Sequence, residues 1–140
     1  MLELLFILLY QLIVKIMAKN GPKDKDQMQF PTVFKFCSQD MEIYLEVLIE
    51  IRDSIRNLSA LVENPEAIDP EDIRFLRHKM KSTFRILEDE NFKQVLDDFT
   101  QSVLDNKPDS REKPLHDLKI LCKDYEASVT SELEKHEDKA

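Results

Sequence analysis

Residues 73–87 read IRFLRHKMKSTFRIL, and this stretch decides how the chain folds. Its apolar residues recur at spacings of three and four, which is the period of a helix with one buried face. These residues are Ile73, Leu76, Met80, Phe84 and Leu87. At about 100° per residue, His78 lies about 200° from both Leu76 and Met80. The pattern therefore predicts a helix that carries His78 on its outer face.

The same stretch collects positive charge, although the whole chain has a formal net charge of −8. It contains no Asp or Glu, and its cations are Arg74, Arg77, Lys79, Lys81 and Arg85. The outer face that His78 occupies also holds Arg74, Lys81, Ser82 and Arg85. A neutral imidazole is a good nucleophile, and cations at helical spacing suit the charge of a phosphoryl group that it accepts. The alternative is an ordinary solvated histidine on a basic helix.

The composition indicates an all-α protein of one domain. The chain has 140 residues, 1 Gly, no Trp and 34% charged residues, without alternating β-branched runs. We expect an antiparallel up-down four-helix bundle with a short N-terminal capping helix. The acidic balance, with a pI near 4.9, argues against general nucleic-acid binding. Cys37 and Cys122 match no metal or redox spacing and are expected to be reduced, packed thiols.

Capping residues predict where the long helices begin and end. Ser38 is expected to cap the first long helix, and Asp69 the second. Residues 88–90 separate the second helix from the third. A loop at residues 106–113 precedes the fourth, which Pro114 is expected to start.

The N-terminal part of the chain differs in character from the rest. Residues 1–16 read MLELLFILLYQLIVKI and leave three readings open: an upstream extension that the working protein lacks, a weak membrane anchor, or an extra helix packed on the domain. Residues 17–29 form a polar linker that holds the only glycine. The predicted bundle covers residues 30–136, and residues 137–140 form a tail.

One motif in the basic helix resembles a known family. His78-Lys79-Met80-Lys81-Ser82 (HKMKS) resembles the H-x-x-K-[GS] motif of the histidine phosphotransfer (HPt) domains of phosphorelays. Leu76 and Leu87 fit the hydrophobic positions that flank the family motif. The upstream run FPTVFKFCSQDMEIYLEVLIEI resembles the family's capping helix and first bundle helix. The resemblance covers about residues 30–136 and implies a four-helix bundle that carries phosphoryl groups.

The resemblance also implies roles for individual residues. His78 would accept the phosphoryl group through Nε2, Lys81 would stabilise it, and the small Ser82 would leave space for the partner. A polar residue on the next helix would orient the ring through Nδ1, and the ungapped position is Thr100, with Gln101 beside it. The basic residues expected to contact the partner are Arg74, Arg77, Lys79 and Arg85, and the partner is expected to dock over the exposed faces of the second and third long helices.

The implied partners are receiver domains of response regulators or hybrid histidine kinases, which would bring Mg²⁺. The chain itself would need no metal or cofactor, and it shows no nucleotide-binding loop, so we expect a carrier and not a kinase. We expect a cytoplasmic monomer without nucleic acid, touching a membrane only if residues 1–16 act as an anchor. Two alternatives remain: a non-catalytic helical interaction module, and metal binding by His78, His116 and His136.

Overall fold

A computed structural model describes residues 4–10 and 28–137 of the chain. Within these ranges the regular structure is helical and contains no strand, which confirms the all-α class. Residues 4–10 form α1. The further α-helices are α2 (Pro31–Phe36), α3 (Met41–Val62), α4 (Pro70–Leu87), α5 (Glu90–Leu104) and α6 (Pro108–Glu137). A short 3₁₀ helix, Pro65–Ala67, lies between α3 and α4.

The chain divides between Tyr44 and Leu45 into two compact units. In the first unit, α2 buries Val33 and Phe34. The ring of Phe34 packs edge-on against Tyr44, with the ring centroids 5.2 Å apart. This aromatic contact joins the short α2 to the first turn of α3.

The cap of α3 differs from the sequence-based prediction. Ser38 is not the cap, because its backbone is left-handed with a φ of 55°, and Gln39 follows with 60°. Asp40 caps the helix instead: its carboxylate accepts a hydrogen bond from the Ile43 N–H at 3.1 Å. The prediction was wrong because Ser and Asp cap about equally well, and two left-handed residues without glycine give no clear sequence signal.

The start of α4 is capped as predicted, and the helix ends within the predicted break at residues 88–90. The Asp69 carboxylate accepts a hydrogen bond from the Glu71 N–H at 3.0 Å, and Pro70 follows as the first helical residue. Glu88 ends the helix in a left-handed conformation. Asp89 then caps α5 by accepting from the Phe92 N–H at 2.9 Å. These caps fix the start and the end of α4.

The start of α6 corrects a second prediction. Residues 108–113 are not a loop, and Pro114 lies inside the helix instead of beginning it. Pro108 takes the first position, where a proline loses no helical hydrogen bond. Pro114 lacks the N–H for one bond to the preceding turn, but the surrounding helix continues through it. At about 1.5 Å per residue, the 30 residues of α6 extend about 45 Å.

In the second unit, α5 packs against both α4 and α6. Phe84 of α4 meets Phe92 of α5 at 5.0 Å, and Phe92 stacks on Tyr125 of α6 at 5.1 Å between ring centroids. Arg56 of α3 donates to the Glu126 carboxylate of α6 at 2.7 Å. Aromatic packing thus links α4 to α5 and α5 to α6, and an ion pair links α3 to α6.

Both cysteines are free and buried, as predicted. Burial, with a smaller effect of Glu126, raises the pKa of Cys122 to about 12. Burial and the charge of Asp40 raise the pKa of Cys37 as well. Protonated, inaccessible thiols are poor nucleophiles, so these residues serve the packing.

The readings of residues 1–16 are only partly accessible, because residues 1–3 and 11–27 lie outside the described residues. Residues 4–10 are helical, and all seven side chains are exposed. No helix in the described ranges combines the length and the apolar character needed to cross a bilayer.

We predict that Tyr125→Phe lowers the free energy of unfolding by about 1 kcal/mol at neutral pH, because the Tyr125 hydroxyl donates a hydrogen bond to the Asp89 carboxylate. Burial, followed by this bond and the Asp89 charge, raises the pKa of Tyr125. A pKa raised by folding stabilises the protein below the ordinary value of about 10, and the stabilisation is lost as the pH rises above it. Urea unfolding between pH 7 and 11 should show this loss in the native chain and a smaller one in the variant. Tyr10→Phe, at an exposed tyrosine, is the matched control and should change neither quantity.

Candidate functional site

The outward face of α4 carries the candidate site. Ile73, Leu76, Met80, Phe84 and Leu87 are buried, as the spacing predicted, and Thr83 is buried with them. His78 is exposed near the middle of the helix. The same exposed face includes Arg74, Lys79, Lys81, Ser82 and Arg85. The helix thus holds the imidazole open to solvent on a support fixed by the core.

The five cations of α4 differ in their partners. Arg74 pairs with Glu71 at 2.6 Å, and Arg77 pairs with Asp97 of α5 at 3.7 Å. In the described part of the chain, Lys79, Lys81 and Arg85 form no ion pair. Lys81 is one turn after His78 and Arg85 two turns after it. The surroundings of the imidazole therefore keep positive charge that no described carboxylate pairs with.

The two candidate ring-orienting residues do not reach His78. Thr100 is fully buried, and its hydroxyl has no hydrogen-bond partner within the described ranges. Gln101 is exposed, and its amide donates to the Asp105 carboxylate at 2.9 Å. Neither residue forms a hydrogen bond with the imidazole in this structure.

The Arg77–Asp97 ion pair explains why the ungapped position misses the ring. The two helices are joined by only two residues, Glu88 and Asp89, so a contact this far from the connection requires them to run antiparallel. Asp97 is therefore within side-chain reach of Arg77, whereas Thr100, three residues farther along α5, points into the core while His78 faces solvent.

Phe75 is a prominent part of the site that the sequence interpretation missed. It lies one turn before His78, and 68% of its surface is exposed. The period that predicts an outward His78 also places Phe75 about 140° from Met80, away from the core. The signal was therefore present in the sequence. An exposed phenylalanine beside uncompensated cations is typical of a contact surface.

A groove of about 350 Å³ runs between α3 and α4 on the same side as Phe75. Its α4 wall contains Lys79, Ser82 and Ile86, and its α3 wall includes Val47 and Glu50. The Ser82 hydroxyl donates to the backbone carbonyl of Lys79 at 3.3 Å, so this short side chain stays close to its own helix. The groove thus opens beside His78 without a bulky side chain at Ser82.

The three histidines do not come together. His116 and His136 both lie on α6, separated by 20 residues or about 30 Å, so they cannot share one metal ion with His78. His136 is buried, with Nε2 3.5 Å from the Glu132 carboxylate. Across the described ranges, no three His, Cys, Asp or Glu side chains are grouped as metal ligands.

Neither a protein-family model, nor a curated protein, nor a solved structure matches this chain. The geometry and charge of α4 therefore provide the physical basis for a functional assignment.

We predict that Thr100→Val raises the free energy of unfolding by about 1 kcal/mol, because a methyl group replaces a buried hydroxyl that lacks a partner. The tautomer of His78, measured by ¹⁵N NMR, should stay the same. A changed tautomer ratio would contradict the geometry and restore Thr100 as the residue that orients the ring. Ser102→Ala is the control, because the buried Ser102 hydroxyl donates to the Phe99 carbonyl at 2.6 Å and its loss should destabilise the fold.

Proposed function

We propose that this protein is a histidine-containing phosphotransfer protein, which accepts a phosphoryl group from a receiver-domain aspartate on His78 and passes it to another receiver aspartate. One observation carries the proposal: an exposed imidazole at the middle of α4, beside three cations that no carboxylate of residues 4–10 or 28–137 pairs with. The HKMKS motif supports it, because it resembles the phosphoacceptor motif of HPt domains.

The transfer balances with His78 as the only covalent participant from this chain. The Nε2 lone pair attacks phosphorus, the N–P bond forms, and the P–O bond to the donor carboxylate breaks. The ring keeps its Nδ1 proton and carries the positive charge that results. The return step forms a new aspartyl phosphate, breaks the N–P bond and restores the neutral imidazole. The receiver domain contributes Mg²⁺ and an acidic pocket, and this chain acts as the carrier.

The free cations suit the charge that this chemistry creates. A phosphoryl group on Nε2 brings negative oxygens to the exposed face of α4. Lys81, one turn away, is the nearest candidate to stabilise them, and Lys79 and Arg85 extend the positive surface. Because these groups have no partner to release in the described part of the chain, they are available without breaking an existing ion pair.

The proposal includes an antiparallel up-down arrangement of α3, α4, α5 and α6. The short connections support this arrangement, as does the Arg77–Asp97 contact between α4 and α5. Such a bundle mounts the phosphoacceptor on a helix that three neighbours hold in place.

The partner would approach over α3 and α4. On the α5 side of His78, Arg77 is already paired with Asp97. On the α3 side lie the exposed Phe75 and the groove that Ser82 lines. The sequence interpretation expected docking over α4 and α5. The positions of Phe75 and the groove favour the other side, and free Lys79 there suits an acidic partner.

A non-catalytic interaction module is the second candidate function, and Phe75 with its groove favours it. Such a module would use the same surface to hold a partner without accepting a phosphoryl group. The two candidates differ in what His78 does, because only the carrier needs its ring nitrogen.

We predict that a phosphorylated receiver domain labels the native chain with an acid-labile, base-stable phosphoryl group, the signature of an N–P bond. His78→Gln should abolish the label, because the amide cannot replace the imidazole nucleophile. Lys81→Ala should slow transfer about tenfold through lost charge stabilisation. Rapid-quench labelling measures both effects.

His116→Gln is the matched control, since His116 is exposed on α6 and lies outside the proposed site. It should be labelled like the native chain. Equal labelling of native protein and His78→Gln would refute the assignment of His78. Binding of the receiver without any label would favour the interaction module.

We predict that Phe75→Ala weakens binding of the receiver domain about tenfold or more, because it removes an exposed aromatic anchor beside His78. Titration calorimetry with the unphosphorylated receiver measures the dissociation constant. Gln94→Ala, at an exposed position on α5, should change it by less than about twofold. The reverse ranking would place the partner over α4 and α5.

A further inference from the structure

The helix α1 is apolar on every side and remains exposed. Its seven residues, LLFILLY, contain no charged or amide side chain. The exposed fractions range from 52% at Ile7 to 72% at Phe6. Seven residues at about 100° each turn almost twice around the helix axis, so large apolar side chains point in all directions. A helix with this pattern lacks the polar face that water-exposed helices present.

This all-round exposure indicates what kind of surroundings cover the helix. A protein groove or a second copy of the chain buries one stripe of a helix and leaves the opposite side in water. The hydrocarbon of a bilayer surrounds an inserted helix and satisfies every side at once. A helix also satisfies part of its backbone N–H and C=O groups by internal hydrogen bonds, which hydrocarbon cannot supply.

The length of the uninterrupted apolar run at residues 4–10 limits how deeply it can insert as a helix. Seven residues rise about 10 Å, less than the roughly 15 Å hydrocarbon thickness of one leaflet. In the sequence, Glu3 precedes this apolar run and Gln11 follows it. Tyr10, at its end, has an amphipathic ring of the kind that favours the boundary between hydrocarbon and headgroups. The dimensions fit insertion into a single leaflet.

We propose that residues 4–10 insert into one leaflet of a lipid bilayer and hold the protein at a membrane surface. The segment has no charge, and the chain as a whole is acidic, with a net charge of −8. The attraction is therefore hydrophobic, and neutral phosphatidylcholine suffices as its target. It is independent of His78 and of any phosphoryl transfer.

The absence of tryptophan allows a direct test on the full chain. Phe6→Trp introduces one tryptophan at the most exposed position of α1. With phosphatidylcholine vesicles, its fluorescence should shift to shorter wavelength, and lipids brominated on their acyl chains should quench it. An unshifted spectrum with no quenching at millimolar lipid would overturn the proposal.

Phe6→Asp and Phe36→Asp form a matched pair, because both place the same charge at an exposed phenylalanine. In vesicle co-sedimentation, Phe6→Asp should lower the partition coefficient at least about tenfold, and Phe36→Asp less than about twofold. Equal losses would contradict insertion through α1. So would binding that requires anionic lipid and disappears with salt, since that result would point to the cations of α4.

A second copy of the chain is the competing occupant of α1. If two copies of the chain bury α1 against each other, sedimentation equilibrium without lipid should show a dimer of the native chain and a monomer of Phe6→Asp. That result, together with no partitioning of the native chain into vesicles, would replace the membrane by self-association.

Discussion

Burial of one face of α4 is the constraint on which the rest of the structure depends. Phe84 packs on Phe92, and Phe92 stacks on Tyr125, so one line of aromatic contacts ties α4, α5 and α6 together. Turning α4 by one residue would move Met80 out of the core and a charged neighbour toward it, at the cost of uncompensated burial. The core therefore fixes the direction of His78 without contacting the imidazole.

The charge of α4 is meaningful because it contrasts with the rest of the chain. An acidic protein offers many carboxylates, yet only Arg74 and Arg77 of the five cations on this helix form an ion pair within the described residues. Lys79, Lys81 and Arg85 lie where the described structure brings no acid near enough to pair. A positive surface of this kind favours encounter with acidic partners and suppresses encounter with basic ones.

Periodicity predicted the fold class, the buried face of α4 and the outward position of His78, because these follow from spacing along one helix. The cap at Asp69 was predicted correctly, because Pro70 and two acidic residues follow it. The cap of α3 was predicted wrongly, because Ser38 and Asp40 are both good capping residues two positions apart. The prediction that Pro114 starts a helix was wrong because proline occurs in the first turn of helices more often than in their interior. Thr100 could not be placed from spacing alone, since the register between two helices depends on cross-helix contacts such as Arg77–Asp97.

The capped ends of α4 have a consequence for the speed of any encounter. Asp69 caps the start of α4. Just after its end, Asp89 caps α5 and also accepts a hydrogen bond from the Tyr125 hydroxyl. A helix fixed in this way loses little conformational entropy when a partner lands on it. Because binding does not have to offset the entropy cost of ordering this helix, a modest contact area is enough for association. Dissociation can then remain fast. A carrier of the proposed kind, which meets two partners in turn, benefits from short-lived complexes.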